Sequence, residues 1–290
     1  MADLVHAPLP GTFSRILREP RAVVGGLFIL FLIFCAIFAP LIAPHDPLEQ
    51  DLLLEKIPPA WQNGSEAGHL LGTDGLGRDL LSRLIHGAQV SMIVAFVAGT
   101  LACLLGTILG LLAGFFGGWV DTVISRLVDI WMSFPPVLLS ILLVAVLGSG
   151  LHSVIVAIVV IDWTRFCRVV RTETMAQTKL EYVDSAVTLG MPRARILIRE
   201  ILPNVLPVIL VLLSLEMGIA VIVEAILSFV GLSVSTDTPT WGGMIAEGRQ
   251  VIYQAWWVLV FPLVALFLTV LAFNQLGDGL RNALDPALRR

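Results

Sequence analysis

Charge is what this sequence has least of. Of its 290 residues only 14% are Asp, Glu, Lys or Arg, against about 25% in a typical soluble domain. Hydrophobic residues make up 57% of the chain, and mean hydropathy is +0.90. A water-soluble protein of this length has no interior large enough for so much apolar surface, so lipid must be its solvent. Lysine occurs only at Lys56 and Lys179, and neither follows a glycine-rich turn of the G-x-x-x-x-G-K-[ST] type. Nucleotide binding through such a phosphate loop is thereby excluded. HExxH, GxSxG and CxxC patterns are missing too, so no catalytic residue and no metal ligand is assigned. The net charge of -4 is small and the basic residues form no tract, which argues against nucleic acid as a partner. Cys35, Cys103 and Cys167 each lie in or beside an apolar run and read as small packing residues. His45, His69 and His86 fall in or next to one loop at irregular spacing, and read as solvated loop residues rather than metal ligands.

Long apolar runs are what the sequence does have. Ala22 to Pro44 is free of Asp, Glu, Lys and Arg, longer than the ~7–15 residues of a signal-peptide core and long enough to span a bilayer. Leu84 to Val120 and Ile130 to Ile161 are likewise uncharged, and each is too long for one span. The glycines of 114–118 and Gly148-Ser149-Gly150 divide them. The runs do not alternate as barrel strands must, so the chain is expected to be all-α, with six spans near 22–43, 89–114, 121–148, 151–170, 203–229 and 254–277.

Lys and Arg set the expected orientation. Thirteen of them fall in the N-terminal tail, the 165–202 loop and the C-terminal tail; four (Lys56, Arg78, Arg83 and Arg249) fall on the opposite side. Both termini are therefore expected in the cytoplasm. The layout is a tail at 1–21, a first span at 22–43, an acidic extracytoplasmic loop at 44–88, a five-span core at 89–278 with a cytoplasmic loop at 171–202, and a tail at 279–290. The second outer loop, 230–253, holds Pro239 and Trp241, and Trp256 and Trp257 open the last span as interfacial aromatics.

Four acids interrupt apolar helices: Asp129, Asp162, Glu216 and Glu224. An ionisable group at that depth is expensive and usually faces a cavity or a partner. Glu216 and Glu224 lie roughly 80° apart around a helix. Asp162, Glu216 and Glu224 are candidates for a translocation path, with interhelical hydrogen bonding an equal alternative. Pro135-Pro136 should kink the third span.

The 165–204 loop reads as a short helix ending at Gly190, where a left-handed cap is easily adopted, then an amphipathic helix starting around Pro192. Ile196, Leu197, Ile201 and Leu202 should share one face, with Arg195 and Arg199 on another. A small-residue helix tip held outside the bilayer is a shape another protein can clasp.

The stretch Asp184-Ser185-Ala186-x3-Gly190 followed by Ile201-Leu202-Pro203-Asn204 resembles the EAA loop of ABC importer permeases. Asp184-Ser185 stands where that family has Glu-Ala, and Glu200 where it favours an apolar residue. Leu71-Gly72-Thr73-Asp74-x2-Gly77-Arg78-Asp79-x2-Ser82-Arg83, Leu227 to Leu232, Pro239-x-Trp241-Gly242, and Phe273-Asn274-x2-Gly277-Asp278-x-Leu280-Arg281-x3-Asp285-Pro286 look like signatures of the C-type subunit of dipeptide/oligopeptide permeases. Ser233 replaces a usual glycine. The resemblance implies a type I importer permease (MetI-like) fold in a bacterial inner membrane. It implies a coupling loop at Glu181, Tyr182, Asp184, Ser185, Ala186, Gly190, Arg193 and Pro203. It also implies a homologous second permease subunit, two ATP-binding subunits that hold the ATP and Mg, and an extracytoplasmic solute-binding protein. Expected substrates are peptides, or alternatively nickel, glutathione or opines. A proton-coupled carrier using the buried acids and a non-transporting membrane scaffold are the rival classes.

Overall fold

The computed structural model describes residues 15–234 and 238–284. The parts of the expected tails at 1–14 and 285–290, with Asp285, Pro286, Arg289 and Arg290, lie outside them. Every extended element among the described residues is helical, as the unbroken apolar runs require. The first span is α1, Pro20–Ile42, opened by a proline whose missing N–H costs nothing at a helix start. The second is α2, Leu80–Phe116, carrying a wide π-helical turn at Val94–Ala98. It begins nine residues before the expected 89, because Asp79 caps it by accepting a hydrogen bond from the Ser82 N–H at 2.8 Å.

The expected third span is not one helix. Residues Gly118–Met132 form α3 and Pro136–Leu147 form α4, bent by 87° across the break. Pro135 and Pro136 deny the chain its backbone donors there, so the kink expected from the sequence is a near right angle. Gly148 and Gly150 adopt φ of +86° and +151° and turn the chain into α5, Leu151–Gln177. The loop helix α6, Glu181–Thr188, precedes α7, Arg193–Phe229, which contains a π-helical turn at Ile196–Ile201. Proline at position 203 offers no N–H, and the widened turn before it accommodates that loss. The second outer loop contains a helix that its glycine-rich sequence hid: α8, Trp241–Val251, capped by the Thr240 hydroxyl. The last span is α9, Trp256–Leu284. Among the described residues four continuous helices (α1, α2, α7 and α9) are long and apolar enough to cross a membrane, and the bent α3–α4 pair makes a fifth where the two halves are taken as one span. Helix α5, apolar in its first half and charged in its second, stands where the 151–170 span was expected.

A stripe of glycines brings α2 onto α5. A β-carbon at Gly106, Gly110 or Gly114 would lie 2.3–2.7 Å from the carbonyl oxygens of Trp163, Cys167 and Arg171. Only glycine allows this backbone approach, and the packing replaces the hydrophobic drive that lipid cannot supply. Cys35, Cys103 and Cys167 are buried and unpaired, as packing residues.

One end of the bundle is closed by a cap made from 43–79 and α8. Arg78 and Arg83 both reach Asp74 and Glu247 of α8: Arg78 Nη2 donates to Glu247 Oε2 at 2.8 Å, and Arg83 Nη1 to the same oxygen at 2.6 Å. Trp241 Nε1 donates to the Leu84 carbonyl and Trp257 Nε1 to the Thr73 carbonyl, each at 3.0 Å. Trp257, expected at the membrane interface, is thus a buried anchor of the cap.

Candidate coupling loop and intramembrane polar groups

At the opposite end of the bundle from the cap, α6 stands as a separate knob. It ends as the sequence predicted. Gly190 takes φ +74°, its N–H bonds the Val187 carbonyl at 2.9 Å, and the Met191 N–H reaches back to Ala186 at 3.1 Å. That pair of bonds is a Schellman motif, which satisfies the last carbonyls of the helix. Pro192 sits one place earlier than expected: it is the cap residue, extended at ψ 141°, and Arg193 is the first helical position.

The knob has two faces. Val183 and Ala186 pack inward with Ile196, Leu197 and Ile201 against Phe166 and Val170 of α5. Glu181, Asp184, Ser185, Thr188, Gly190 and Arg193 face solvent, as do Val187 and Leu189, the latter 81% exposed. The Ser185 hydroxyl donates to the Glu181 carbonyl at 2.8 Å and Thr188 to Asp184 at 2.9 Å, so both hydroxyls are spent on their own helix. Tyr182 is half-buried, and its hydroxyl donates to Gln177 Oε1 at 2.9 Å, tying the knob to the end of α5. Burial pushes the Tyr182 phenol above its ordinary pKa. Pro203 is exposed in the first turns of α7, and the Asn204 amide donates to the Glu200 carbonyl at 2.7 Å. Arg195 and Arg199 are exposed opposite the buried Ile196–Leu197 face, as the amphipathic reading required.

The four acids picked from the sequence fall into three environments. Asp129 is not buried: its side chain is 56% exposed and meets Arg168 Nη2 at 3.2 Å, because α3 leaves most of its surface uncovered. Asp162 and Glu216 are buried on the facing helices α5 and α7. The Arg165 guanidinium, one turn from Asp162, donates to both Glu216 oxygens at 3.2 and 3.3 Å. Arg165 was counted in the sequence only as a loop cation; it is the partially exposed member of this cluster. Glu224 is fully enclosed, and its Oε1 accepts from Ser228 at 2.5 Å and Ser233 at 3.2 Å. The serine that replaces the usual glycine at 233 therefore supplies a partner for a buried acid.

The histidines correct the sequence reading. His69 is buried, not solvated, and its Nδ1 lies 3.0 Å from Asp79 Oδ1. His45 is half-buried and stacks on it with ring centroids 4.6 Å apart. Spacing could not show this, because the turns of the cap create the contact. His86 is also half-buried, with Nδ1 2.9 Å from the Ser82 carbonyl.

Comparison with known proteins covers the chain almost end to end. Residues 106–290 match the family described as binding-protein-dependent transport system inner membrane component, and residues 10–59 match the N-terminal transmembrane domain of oligopeptide transport permease C. A di/tripeptide transport system permease protein, DppC, from Pseudomonas aeruginosa is 41% identical over 285 residues, 98% of this chain and 93% of the relative. A glutathione transport system permease protein, GsiD, from Pectobacterium atrosepticum is 41% identical over 288 residues, again 98% and 93%. Among solved structures, the inward-facing MetNI methionine ABC transporter superposes with a TM-score of 0.58 at 20% identity, covering 70% of this chain and 97% of that one. An amino acid ABC transporter gives 0.53 at 18% identity, covering 68% and 91%.

Proposed function

The chain belongs to the family of binding-protein-dependent transport system inner membrane components, and from that premise we propose that it forms half of a peptide-conducting pathway. Its cargo in this reading is a di- or tripeptide, glutathione included, as for the two permeases 41% identical to it. Free energy reaches it from separate ATP-binding subunits, since no phosphate loop exists here. The observation that carries the reading is the knob α6. It is rigidly closed by the Gly190 cap and seated on α5 by Val183 and Ala186, yet leaves Val187 and Leu189 exposed at its tip. Two exposed apolar side chains on a helix end outside the bilayer fit a groove in a partner. Closure of an ATP-binding pair pulls on this knob and, through Tyr182 and the Phe166–Val170 contact, on α5. Only a partner that grips the knob differently in two states can shift the spans between them.

A second, homologous permease subunit completes the pathway. Helices α3 and α4 leave Trp119, Leu138 and Val146 uncovered, an apolar face available to it and to lipid. Arg165, with Asp162 and Glu216 behind it, is the polar group we assign to the pathway, because it alone of the three is appreciably exposed. Glu224 we read as structural, joining the end of α7 to the turn at Ser233. The cap end faces outward and receives the solute-binding protein, and both termini lie in the cytoplasm, in keeping with the Lys and Arg distribution.

Leu189→Cys tests the docking. All three native cysteines are buried, so the new thiol is the reactive one. In the assembled complex it should cross-link to a cysteine placed in the ATP-binding subunit and resist maleimide. Free labelling of Cys at 189 in the assembled, ATP-hydrolysing complex would overturn the assignment.

A further inference from the structure

We propose that His45, His69 and Asp79 form a binding site for a divalent transition-metal ion of the zinc class, in the cap. The three side chains come from separate pieces of chain. His45 follows the end of α1, His69 lies in the cap loop, and Asp79 caps α2. Their ligand atoms all lie within 4.8 Å of one another. His69 Nδ1 is 3.0 Å from Asp79 Oδ1, and His45 Nδ1 is 3.9 Å from Asp79 Oδ2.

The second distance is too long for a hydrogen bond. His45 Nδ1 is a buried atom, and it has no hydrogen-bond partner. An orphaned buried nitrogen needs an explanation, and an ion held among the three groups supplies one. The surroundings are those of a supported ligand set. Asp79 Oδ2 is fixed by the Ser82 N–H at 2.8 Å and the Ser82 hydroxyl at 2.7 Å. The same Ser82 oxygen accepts the His45 backbone N–H at 3.0 Å. Hydrogen bonds of this kind orient ligating carboxylates and the residues beside them. Gly68 turns the loop beside the His45 ring at φ +105°, a conformation that L side chains rarely adopt.

Two imidazoles and one carboxylate favour zinc-class metals over calcium or magnesium, which take oxygen ligands. Three protein ligands leave the fourth tetrahedral position to water. Zn–N bonds are about 2.0–2.1 Å long, so the ligands must close in. His45 can do so, because its side chain is 33% exposed while that of Asp79 is held at 1%. A bound ion would staple the end of the first span to the start of the second and stiffen the cap.

The test uses the complete transporter complex in lipid nanodiscs, purified through a tag without histidine, stripped with chelator, then offered Zn2+ or Co2+ and desalted. The control is His45→Gln, which keeps the His69–Asp79 contact and the Asp79 cap. Wild type should retain about one more zinc per copy of this chain than the variant. It should show tetrahedral Co2+ absorption that the variant loses, and only wild type should gain melting temperature on adding Zn2+. Metal bound by partner subunits cancels in the difference. Equal zinc retention and equal melting shifts in the two proteins would overturn the proposal, and would mark the histidine pair as packing alone.

Discussion

Arg165 and Glu216 show how much a single buried charge depends on its partner. The Glu216 side chain is 5% exposed and pairs with Arg165, itself one-third exposed. Removing one partner of a fully buried pair costs about 3–5 kcal/mol; partial solvation of Arg165 lowers that to roughly 2 kcal/mol here. Arg165→Met should therefore lower the melting temperature of the detergent-solubilised complex. The double variant Arg165→Met/Glu216→Leu should recover most of the loss, because an apolar pair carries no desolvation penalty. A double variant no better than the single would show that the two groups do not interact. At this scale the sequence was informative where chemistry is local. Asp162 and Glu216 stood out because lipid makes any acid conspicuous. Asp129 misled, because exposure on a helix with an uncovered face leaves no mark in sequence. The meeting of His45, His69 and Asp79 was invisible, since it is made by the tertiary path of the cap.

Helix contacts set the next scale. The α2–α5 seam rests on glycines whose replacement would place a carbon within 2.7 Å of a backbone oxygen or closer. Gly110→Leu should force the helices apart, at a cost of about 1–3 kcal/mol or more, and should be read as loss of thermal stability and of assembled complex. A Gly110→Leu protein with wild-type melting would contradict the seam. Both ends of α1, the end of α7 and the start of α9 were legible within two residues, while α7 begins ten residues before the expected 203 and α9 runs seven past the expected 277, because the helices continue beyond the apolar runs that marked the spans. The α3–α4 break was legible from Pro135-Pro136 as a kink, though not as an 87° turn. Helix α8 escaped notice because Gly242, Gly243 and Gly248 dilute its pattern, and its glycines exist for packing: a β-carbon at Gly242 would lie 2.1 Å from the Ala225 carbonyl. Helix α6 was legible in full, since its turn depends on one glycine and a local bond pattern.

Seen as a whole molecule, the protein has a locked end and a free end. At the cap, Asp74 and Glu247 bind two arginines that are 4–7% exposed, joining α2 to α8. Arg83→Met should leave Asp74 short of a counterion and destabilise the protein by about 3 kcal/mol or more, seen as a lower melting temperature and faster proteolysis of the 43–79 segment. Unchanged proteolysis would contradict the clamp. At the free end, Gly190 and the α6 knob stand out from the bundle with apolar side chains exposed. That asymmetry fits a protein whose energy arrives from another chain. The most direct measurement is ATP-driven peptide uptake by proteoliposomes holding the complete complex and its binding protein, comparing wild type with Gly190→Val. A β-branched residue at φ +74° costs about 1–2 kcal/mol and opens the cap of α6. Uptake and binding-protein-stimulated ATP hydrolysis should fall together in Gly190→Val while the spans remain folded. Full stimulation and uptake in that variant, or uptake by the wild-type chain alone under a pH gradient without ATP, would contradict it.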